Sequence, residues 1–309
     1  MMLRYKLLSV LLLLALLLTS CTYVQLSEDK FYSFTDFSGR KVELSSPPQN
    51  VAVLFSSFAE VWSSAGGKVN ITVGESIERG FVSEDSILVD DSAGKSINNE
   101  LLLASKPDFV IASADIEAHI NTARILTDAG IPCALFRVEC FEDYYEMLNI
   151  CTDITSNKEA YKKYGTDVKT QIERILNGAY DSDKKILFIR SGSSSRSAKA
   201  KTSDEHFAAA MLEELGTYNI AENAPVLLEG LSLEEILKED PEYIFISTMG
   251  NDQAAKAYMD SVFNQDSWKT LSAVKNGNCI YLPKEMFQFK PNARWADAYS
   301  YLANILYEK

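Results

Sequence analysis

The sequence predicts an α/β protein of two lobes, each with a central, mostly parallel sheet, joined by one long helix. Short apolar segments of strand length alternate with segments of helical periodicity in two separate stretches of the chain. Between these stretches, residues 158–179 carry apolar side chains at helical spacing, and no strand segment lies beside them. Strands that alternate with helices over short connections form parallel sheets covered on both faces.

The chain begins with the pattern of an export signal. Arg4 and Lys6 precede an uncharged, leucine-rich run that is shorter than the roughly 20 residues of a membrane-spanning helix. Cys21 follows this run after a Thr-Ser pair, an ending similar to that of bacterial lipoprotein signals, in which the cysteine is acylated. We therefore expect a signal peptide over residues 1–20 and a lipid-anchored tether over residues 21–33. An ordinary signal peptide with an incidental cysteine is the alternative.

The chain is acidic, and its charge excludes one class of partner. The formal net charge is −13 at pH 7, and removing the two cations of the signal takes it to about −15. Binding to nucleic acid requires clustered lysines and arginines that neutralise phosphates. The charge is typical of a freely diffusing surface protein, but it names no ligand.

The expected N-terminal lobe spans residues 34–155. Two alternating runs flank a Ser-Gly pair and predict a hairpin over residues 34–44. Strands are predicted at residues 51–55, 69–73, 109–112 and 131–138. Helices are predicted at residues 56–65, 100–105, 120–129 and 141–150.

The linking helix is expected within residues 156–180, and the C-terminal lobe over residues 181–309. In this second lobe, the predicted strands are residues 186–189, 243–247 and 279–282. The predicted helices are residues 205–215, 233–238, 253–263 and 293–308.

Two segments of the chain resemble each other and indicate an internal duplication. Glu100 and Glu234 each lie seven positions before a proline, Pro107 and Pro241. Each proline is followed by an acidic residue, an aromatic residue and an apolar run that ends in serine. The alternative is that junctions of a helix, a proline and a strand look alike in any α/β fold.

The cysteines and histidines give no metal-binding motif. Three of the four cysteines after Cys21 are close in sequence, so the spacing is compatible with one disulfide or with buried free thiols. Their spacings match no zinc motif. The four are Cys133, Cys140, Cys151 and Cys279.

No catalytic motif is present in the sequence. There is no Gly-x-Ser-x-Gly elbow, and no nucleophile has a histidine and an acid in a recognisable order. The serine-rich run after Arg190 lacks the Gly-Lys-Ser/Thr ending of a phosphate loop. We therefore expect a protein that is not an enzyme, with an exported α/β hydrolase and a sensor domain as the alternatives.

Several segments together carry a resemblance to a known family. The sequence resembles the solute-binding proteins of ABC importers for ferric siderophores, haem and cobalamin, over essentially the whole chain after the signal. The carriers are the opening Phe34-Thr-Asp-Phe-Ser-Gly-Arg-Lys-Val-Glu-Leu with Pro48 and Val51-Ala-Val-Leu, the Lys106-Pro-Asp-Phe-Val-Ile segment, the long helix, Leu212-Glu-Glu-Leu-Gly-Thr-Tyr-Asn-Ile-Ala, and Asp240-Pro-Glu-Tyr-Ile-Phe-Ile.

This resemblance implies a monomer that holds a metal chelate between its lobes and delivers it to an importer permease. A ferric siderophore is the first expectation, with haem or cobalamin as alternatives. The iron or cobalt chelate is then the ligand, and no separate cofactor is expected. The family's permease-docking glutamates map onto Glu100 and Glu234 by their equal offset from proline. The protein is expected on the outer face of the cell membrane, or in the periplasm of a Gram-negative cell.

Cleft residues are expected in the loops after the strands, where open parallel sheets bind ligands. In the segment before the last helix, Pro291 begins the helix, and Lys290 and Arg294 are placed to hold an anionic group. If the ligand is haem, Met249, His206 and the tyrosines are open candidates for its iron. The predicted cleft residues are Ser56, Ser57, Phe58, Arg190, Met249, Phe287, Lys290 and Arg294, with residues 75–81, Ser113 and Asp115 nearby.

Overall fold

The computed structural model describes residues 30–90, 94–178 and 183–307. The predicted signal peptide, Cys21 and most of the predicted tether lie outside the described residues. The described chain forms two α/β lobes, each around its own five-stranded sheet, with a helical segment between them. The predicted fold class is therefore confirmed. None of the described helices has the length and the apolar character that crossing a bilayer requires.

A hairpin and a parallel sheet form the N-terminal lobe. The hairpin pairs β1 (Tyr32–Thr35) with β2 (Lys41–Leu44) in antiparallel fashion, as predicted. The sheet strands are β3 (Val51–Val53), β4 (Ile71–Thr72), β5 (Ile87–Leu88), β6 (Phe109–Ser113) and β7 (Cys133–Phe136). They are all parallel and lie in the order β5-β4-β3-β6-β7. Every residue of β3 and β6 is buried, as expected for central strands covered on both faces.

The four predicted helices of this lobe are present, with ends within five residues of the expected ones, and one further short helix was not predicted. They are α1 (Ser56–Ser64), α2 (Gly74–Glu78), α3 (Asn99–Ala104), α4 (Glu117–Asp128) and α5 (Phe141–Thr155). The Gly-Gly pair after α1 has two separate roles. Gly66 has a φ of 93°, which ends the helix, and a Cβ on Gly67 would lie 2.1 Å from Cε2 of Trp62.

The linking segment is helical, but it is not the uninterrupted helix that the sequence predicts. It consists of α6 (Lys158–Tyr161), a π-helical turn (Lys162–Thr166) and α7 (Asp167–Leu176). The turn packs closely on α5: a Cβ on Gly165 would lie 2.8 Å from the Tyr145 ring, and the Tyr144 hydroxyl donates to the Tyr164 carbonyl oxygen at 2.9 Å. This tertiary contact is invisible in the helical periodicity of the sequence.

The sheet of the C-terminal lobe contains two short strands that the sequence does not predict. Its strands are β8 (Lys185–Ser191), β9 (Ala198–Ala200), β10 (Tyr218–Asn219), β11 (Tyr243–Thr248) and β12 (Cys279–Tyr281). Four of them are parallel, in the order β10-β8-β11-β12, and β9 pairs antiparallel with the end of β8. Strands of two or three residues are too short for an alternating pattern to be visible.

Seven α-helices accompany this sheet. They are α8 (Phe207–Glu214), α9 (Val226–Glu229), α10 (Leu233–Glu239), α11 (Asp252–Phe263), α12 (Ser272–Lys275), α13 (Lys284–Phe287) and α14 (Trp295–Tyr307). Four single 3₁₀ turns are also present, at Ser195–Ser197, Ile220–Asn223, Trp268–Thr270 and Asn292–Arg294.

One hydrophobic core extends through both lobes. In β3, Val51 and Val53 face this shared core, whereas Ala52 faces a core of the N-terminal lobe alone. In β8, Phe188 faces the shared core and Leu187 faces a core of the C-terminal lobe alone. The alternation follows from the two-residue period of a strand. The apolar faces of α7 and α14 also join the shared core.

The predicted internal repeat has a matching backbone. The residue before each of the two prolines, Lys106 and Asp240, adopts a positive φ, 50° and 44° respectively. Each follows the short helix that carries Glu100 or Glu234, and each precedes a central strand, β6 or β11. The likeness therefore includes an uncommon backbone conformation, which helix-proline junctions do not require.

All four cysteines of the described chain are free thiols. Cys133 and Cys151 are buried, and Cys140 and Cys279 are partly exposed. Burial raises the pKa of Cys133 and that of Cys279 to about 12, and it raises the pKa of Cys151 as well. Of the two alternatives left open by the sequence, the structure contains the free thiols, which stay protonated at neutral pH.

Candidate ligand-binding cleft

A cleft of about 310 Å³ lies between the two lobes. It is reached from the carboxyl ends of β3, β6 and β8, the edge at which parallel sheets bind ligands. The N-terminal lobe lines it with Phe55, Phe58, Ser113, Asp115, Ile116, Val138 and Glu139. The C-terminal lobe lines it with Arg190, Ser203, Asp204, Glu205, His206, Phe207, Gln288 and Lys290.

The wall formed by the N-terminal lobe is aromatic and acidic. Phe55 and Phe58 pack edge to face, with ring centroids 4.9 Å apart. Asp115 is neutralised by Arg137, whose Nε lies 2.6 Å from the carboxylate. Glu139 is exposed and forms no ion pair with a described residue.

The wall formed by the C-terminal lobe carries two cations without a partner. Arg190 is exposed, and neither its guanidinium nor the Lys290 ammonium has a hydrogen bond or an ion pair with any described residue. The Lys290 nitrogen lies 5.1 Å from the centroid of the Phe207 ring. Burial lowers the pKa of Lys290, and the carboxylates of Glu139 and Asp115 oppose this shift. An anion that enters the cleft would therefore meet two donors that are free to bind it.

His206 adds a neutral imidazole to the same wall. Its Nδ1 accepts a hydrogen bond from the Ala208 backbone N–H at 3.1 Å, which makes it the cap of α8. The ring lies between those of Phe188 and Phe207, with centroids 4.7 and 4.8 Å away. Burial lowers the pKa of His206 to about 3, and the positive charges of Arg190 and Lys290 act in the same direction.

A group of contacts joins the two lobes, and we call it the interlobe clasp. The clasp consists of Glu60 and Arg79 from the N-terminal lobe and Phe289, Asn292 and Arg294 from the C-terminal lobe. The Arg79 guanidinium lies 3.9 Å from the centroid of the Phe289 ring, and Nη2 lies 3.8 Å from the Glu60 carboxylate. Arg294 approaches the other oxygen of Glu60 at 3.9 Å. Two arginines from different lobes thus share one partly buried carboxylate.

The electrostatics of the clasp are set by burial. Burial raises the pKa of Glu60, and the Asn292 hydrogen bond and the two arginines counteract this shift. Burial also lowers the pKa of Arg79, which Glu60 opposes. Each charged group therefore depends on its partner, because a desolvated charge without a partner is strongly unfavourable.

The predicted cleft residues divide into three groups. Phe58, Arg190 and Lys290 line the cleft. Ser56, Ser57 and Arg294 lie at the clasp instead, where Arg79 donates to the Ser56 and Ser57 hydroxyls at 2.9 and 3.2 Å.

The third group, Met249 and Phe287, does not line the cleft. Phe287 is fully buried, and its ring lies 5.7 Å from that of Tyr301. Met249 follows β11 and packs beside Gly192, where its methyl group would lie 3.4 Å from an added Cβ. Helix α13 turns the Phe287 side chain into the core, which the sequence does not reveal because α13 has only four residues.

The C-terminal lobe also lines the cleft with a loop that was not among the predicted cleft segments. The segment from Ser203 to Phe207, which precedes α8, contributes five residues to the cleft, and none was among the predicted cleft residues. His206 stands directly before an apolar helix, a position at which a side-chain acceptor caps the first turn. This position predicts the helix cap but not a place in the cleft.

The two predicted docking glutamates are exposed residues outside the cleft. Glu100 lies in the first turn of α3, and Glu234 lies in the first turn of α10. Neither forms an ion pair or a hydrogen bond through its side chain with a described residue. Both carboxylates are accessible to a partner, and both occupy equivalent positions in the two halves of the internal repeat.

Within residues 30–90, 94–178 and 183–307, no group of three or more histidine, cysteine, aspartate or glutamate side chains is arranged to hold a metal ion. The open haem-ligand candidates are separated by the structure: His206 lines the cleft, and Met249 does not. The cleft of the described chain offers nitrogen donors and aromatic rings to a ligand, beside carboxylates on both walls.

Comparisons with known proteins agree on one family. The family model described as "Periplasmic binding protein" matches residues 51–286. The molybdate-binding protein MolA of Haemophilus influenzae is 22% identical over 306 residues, which cover 88% of this chain and 82% of MolA.

Solved structures share the fold at low sequence identity. SirA of Staphylococcus aureus, complexed with staphyloferrin B, has a TM-score of 0.66 and 16% identity, covering 90% of this chain and 97% of SirA. IsdE of Staphylococcus aureus, complexed with heme, has a TM-score of 0.67 and 15% identity, covering 84% of this chain and 99% of IsdE. At such identities the similarity establishes the two-lobed fold alone.

Proposed function

This chain belongs to the periplasmic binding protein family, and from that premise we propose that it is the solute-binding protein of an ABC importer. It captures an anionic metal chelate between its lobes, with a ferric siderophore as the first candidate and haem or cobalamin as alternatives. It releases the chelate unchanged to a permease and acts as a monomer that binds stoichiometrically, without turnover.

The observation that carries this proposal is the pair of unpartnered cations in the cleft. Arg190 and Lys290 are on one wall, and the aromatic rings of Phe55, Phe58 and Phe207 are beside them. Lys290 is only partly exposed, and a desolvated cation without a partner is unfavourable, whereas the exposed Arg190 stays accessible to an anion. An anionic chelate with flat aromatic or conjugated parts would satisfy both the charges and the rings.

The ligands of the similar proteins are compatible with this chemistry. MolA is named for molybdate, an oxyanion, and SirA was solved with staphyloferrin B. IsdE was solved with heme. The absence of a metal-holding cluster in the described residues favours a metal that brings its own ligands over a bare divalent ion.

Delivery is assigned to Glu100 and Glu234. Both are exposed, lie at equivalent places in the two lobes, and are free to pair with arginines of a permease. Such exposed pairs guide encounter and fix orientation more than they add affinity. Anchoring is assigned to an acylated Cys21 on the outer face of the cell membrane, after export directed by residues 1–20 and with residues 21–33 as a tether.

Direct binding measurements test the proposed ligand class. The chain without its signal peptide is titrated by calorimetry with ferric tris-catecholate, ferric citrate, haemin, cyanocobalamin and sodium molybdate. We expect one-to-one binding of a ferric complex. Arg190→Gln or Lys290→Met is expected to weaken this binding about tenfold or more, because a hydrogen bond to a charged group contributes about 1.5–3 kcal/mol.

The exposed Lys275 lies outside the cleft and provides the matched control. Lys275→Gln should bind as the wild type does. Retention of none of the five compounds, or equal losses in the control and the cleft variants, would reject the proposal.

A further inference from the structure

We propose that His206 donates a hydrogen bond from Nε2–H to an anionic group of the bound chelate and is not a ligand to its metal. This inference rests on the proposed function and deepens it, because it specifies which part of the chelate faces the C-terminal lobe. It concerns a residue that sequence reasoning left open as a candidate haem ligand.

The first step is the tautomer of the ring. Nδ1 of His206 lies 3.1 Å from the backbone nitrogen of Ala208. A backbone N–H can only donate, so Nδ1 must carry the lone pair that accepts this bond. The proton of a neutral imidazole is then on Nε2. Nε2 has no hydrogen-bond partner among the described residues, and the residue lines the cleft.

The second step is the consequence for metal binding. A metal binds imidazole through an unprotonated nitrogen, so ligation through Nε2 would move the proton to Nδ1. The Nδ1–H would then face the Ala208 N–H, and α8 would lose its cap. The fold therefore favours Nε2 as a hydrogen-bond donor and disfavours it as a metal ligand.

The third step is that the ring has little freedom to escape this arrangement. Phe207 stacks on it with an interplanar angle of 22°, and Phe188 packs on it at 43°. Turning the ring to present Nδ1 to the cleft would break the cap and disturb these two contacts. The protonation state is equally constrained, because burial and the charges of Arg190 and Lys290 hold the pKa of His206 far below neutrality.

The C-terminal wall of the cleft thus offers three donors: the Arg190 guanidinium, the Lys290 ammonium and the His206 Nε2–H. None of the three can complete the coordination sphere of a metal in its present state. The chemistry fits a chelate whose metal is already fully coordinated and which projects a carboxylate, a catecholate or another oxyanion towards this wall.

Nuclear magnetic resonance of the free protein tests the tautomer without any ligand. The chain contains only two histidines, so long-range ¹H–¹⁵N spectra at pH 7 are simple, and the signals missing from a His206→Ser variant identify His206. We expect a neutral ring protonated at Nε2. A ring protonated at Nδ1, or a charged imidazolium, would overturn the inference whatever the protein binds.

Binding to the same variant tests the role. Serine can also cap α8, so folding should be preserved. It lacks a donor in the place of the His206 Nε2–H. We expect His206→Ser to weaken binding of ferric tris-catecholate about tenfold, with the visible absorption band of the bound complex unchanged. Unchanged affinity would overturn the donor role. A shift of that band in the variant, or loss of a nitrogen-ligand signature from bound haemin, would show that His206 is a metal ligand.

The binding measurement and the spectra of the free protein give independent results. If the wild type binds none of the compounds, the proposed function fails, and the spectra of the free protein still decide the tautomer of His206.

Discussion

The side-chain amide of Asn292, in the C-terminal lobe, donates a hydrogen bond to the backbone carbonyl oxygen of Ser57, in the N-terminal lobe, at 2.9 Å. The same amide donates to the Glu60 carboxylate at 2.7 Å. Asn292 is 2% exposed and has a φ of 53°, a conformation that few residues other than glycine and asparagine adopt readily. This single side chain thus holds the two lobes together at the interlobe clasp.

Replacing Asn292 should destabilise the protein by an amount that depends on the backbone. Asn292→Gly removes both interlobe hydrogen bonds but tolerates the positive φ, and we expect a loss of about 1–3 kcal/mol in the free energy of unfolding. Asn292→Ala adds the strain of a positive φ and should lose about 1 kcal/mol more. Urea unfolding measures both values. Equal stability of the two variants would contradict the role assigned to the backbone.

Replacing both docking glutamates should block uptake without affecting ligand capture. In cells, Glu100→Ala with Glu234→Ala is expected to abolish import, while calorimetry on the purified variant shows wild-type affinity. The matched control is Glu117→Ala with Glu159→Ala, because these residues also lie in first helical turns and are exposed. If the first double variant imports the ligand at the same rate as the control, Glu100 and Glu234 are not the docking residues.

The two histidines should make the protein less stable in acid. Burial lowers the pKa of His206 to about 3 and also lowers that of His119, whereas both titrate near 6.5 in an unfolded chain. Below about pH 6.5 the unfolded state therefore binds protons that the folded state does not, and the free energy of unfolding falls with decreasing pH. Above this pH the two histidines add no pH dependence.

The slope of this loss is at most about 1.4 kcal/mol per pH unit for each histidine. We predict that His206→Ser loses less stability than the wild type between pH 7 and pH 5, measured by urea unfolding at each pH. An identical loss in both proteins would mean that His206 is accessible to protons in the folded state.

Gly67 should be intolerant of any side chain. A Cβ there would lie 2.1 Å from Cε2 and 2.3 Å from Nε1 of the buried Trp62, so either the indole or the chain must shift. Gly67→Ala is expected to destabilise by about 1–3 kcal/mol or more, which thermal or urea unfolding would detect. Gly230→Ala is the control, because that position is extended, with a φ of 174°, and has no atom within 4 Å of the added carbon. A similar loss in both variants would show that packing on Trp62 is not the cause.

The sequence predicted correctly those elements whose pattern of apolar residues extends over several neighbouring positions. The alternating runs of β1 and β2, the apolar run of β6 and the periodicity of the linking segment each depend on neighbours within one element. It missed β5, β9 and β10, because a strand of two or three residues is fixed by pairing with its neighbour and not by its own pattern. It also missed the π-helical turn, whose cause is the approach of Tyr145 to Gly165.

For the cleft, the sequence predicted some of the lining residues but not which of the predicted cations reach it. Arg190 and Lys290 were selected because they follow strands or precede a helix, and both line the cleft. Arg294 was selected by the same reasoning, yet it points to Glu60 at the clasp. In the segment from Ser203 to Phe207 only His206 was considered, as a candidate haem ligand, since nothing local distinguishes a helix cap that faces a cleft from one that faces solvent.

The sequence by itself determined the two-lobed α/β architecture, the helical link, the internal repeat and the acidic surface, because each of these follows from the spacing of apolar and charged residues along one segment. Only the tertiary structure decided which loops meet across the cleft and which charges stay without a partner there. The physical reason is that the relative position of the lobes is set by a core shared between distant segments, in which the Trp295 ring of α14 packs on Phe141 of one lobe and on Phe207 of the other. A local pattern specifies which face of an element is buried, but it does not specify what that face is buried against.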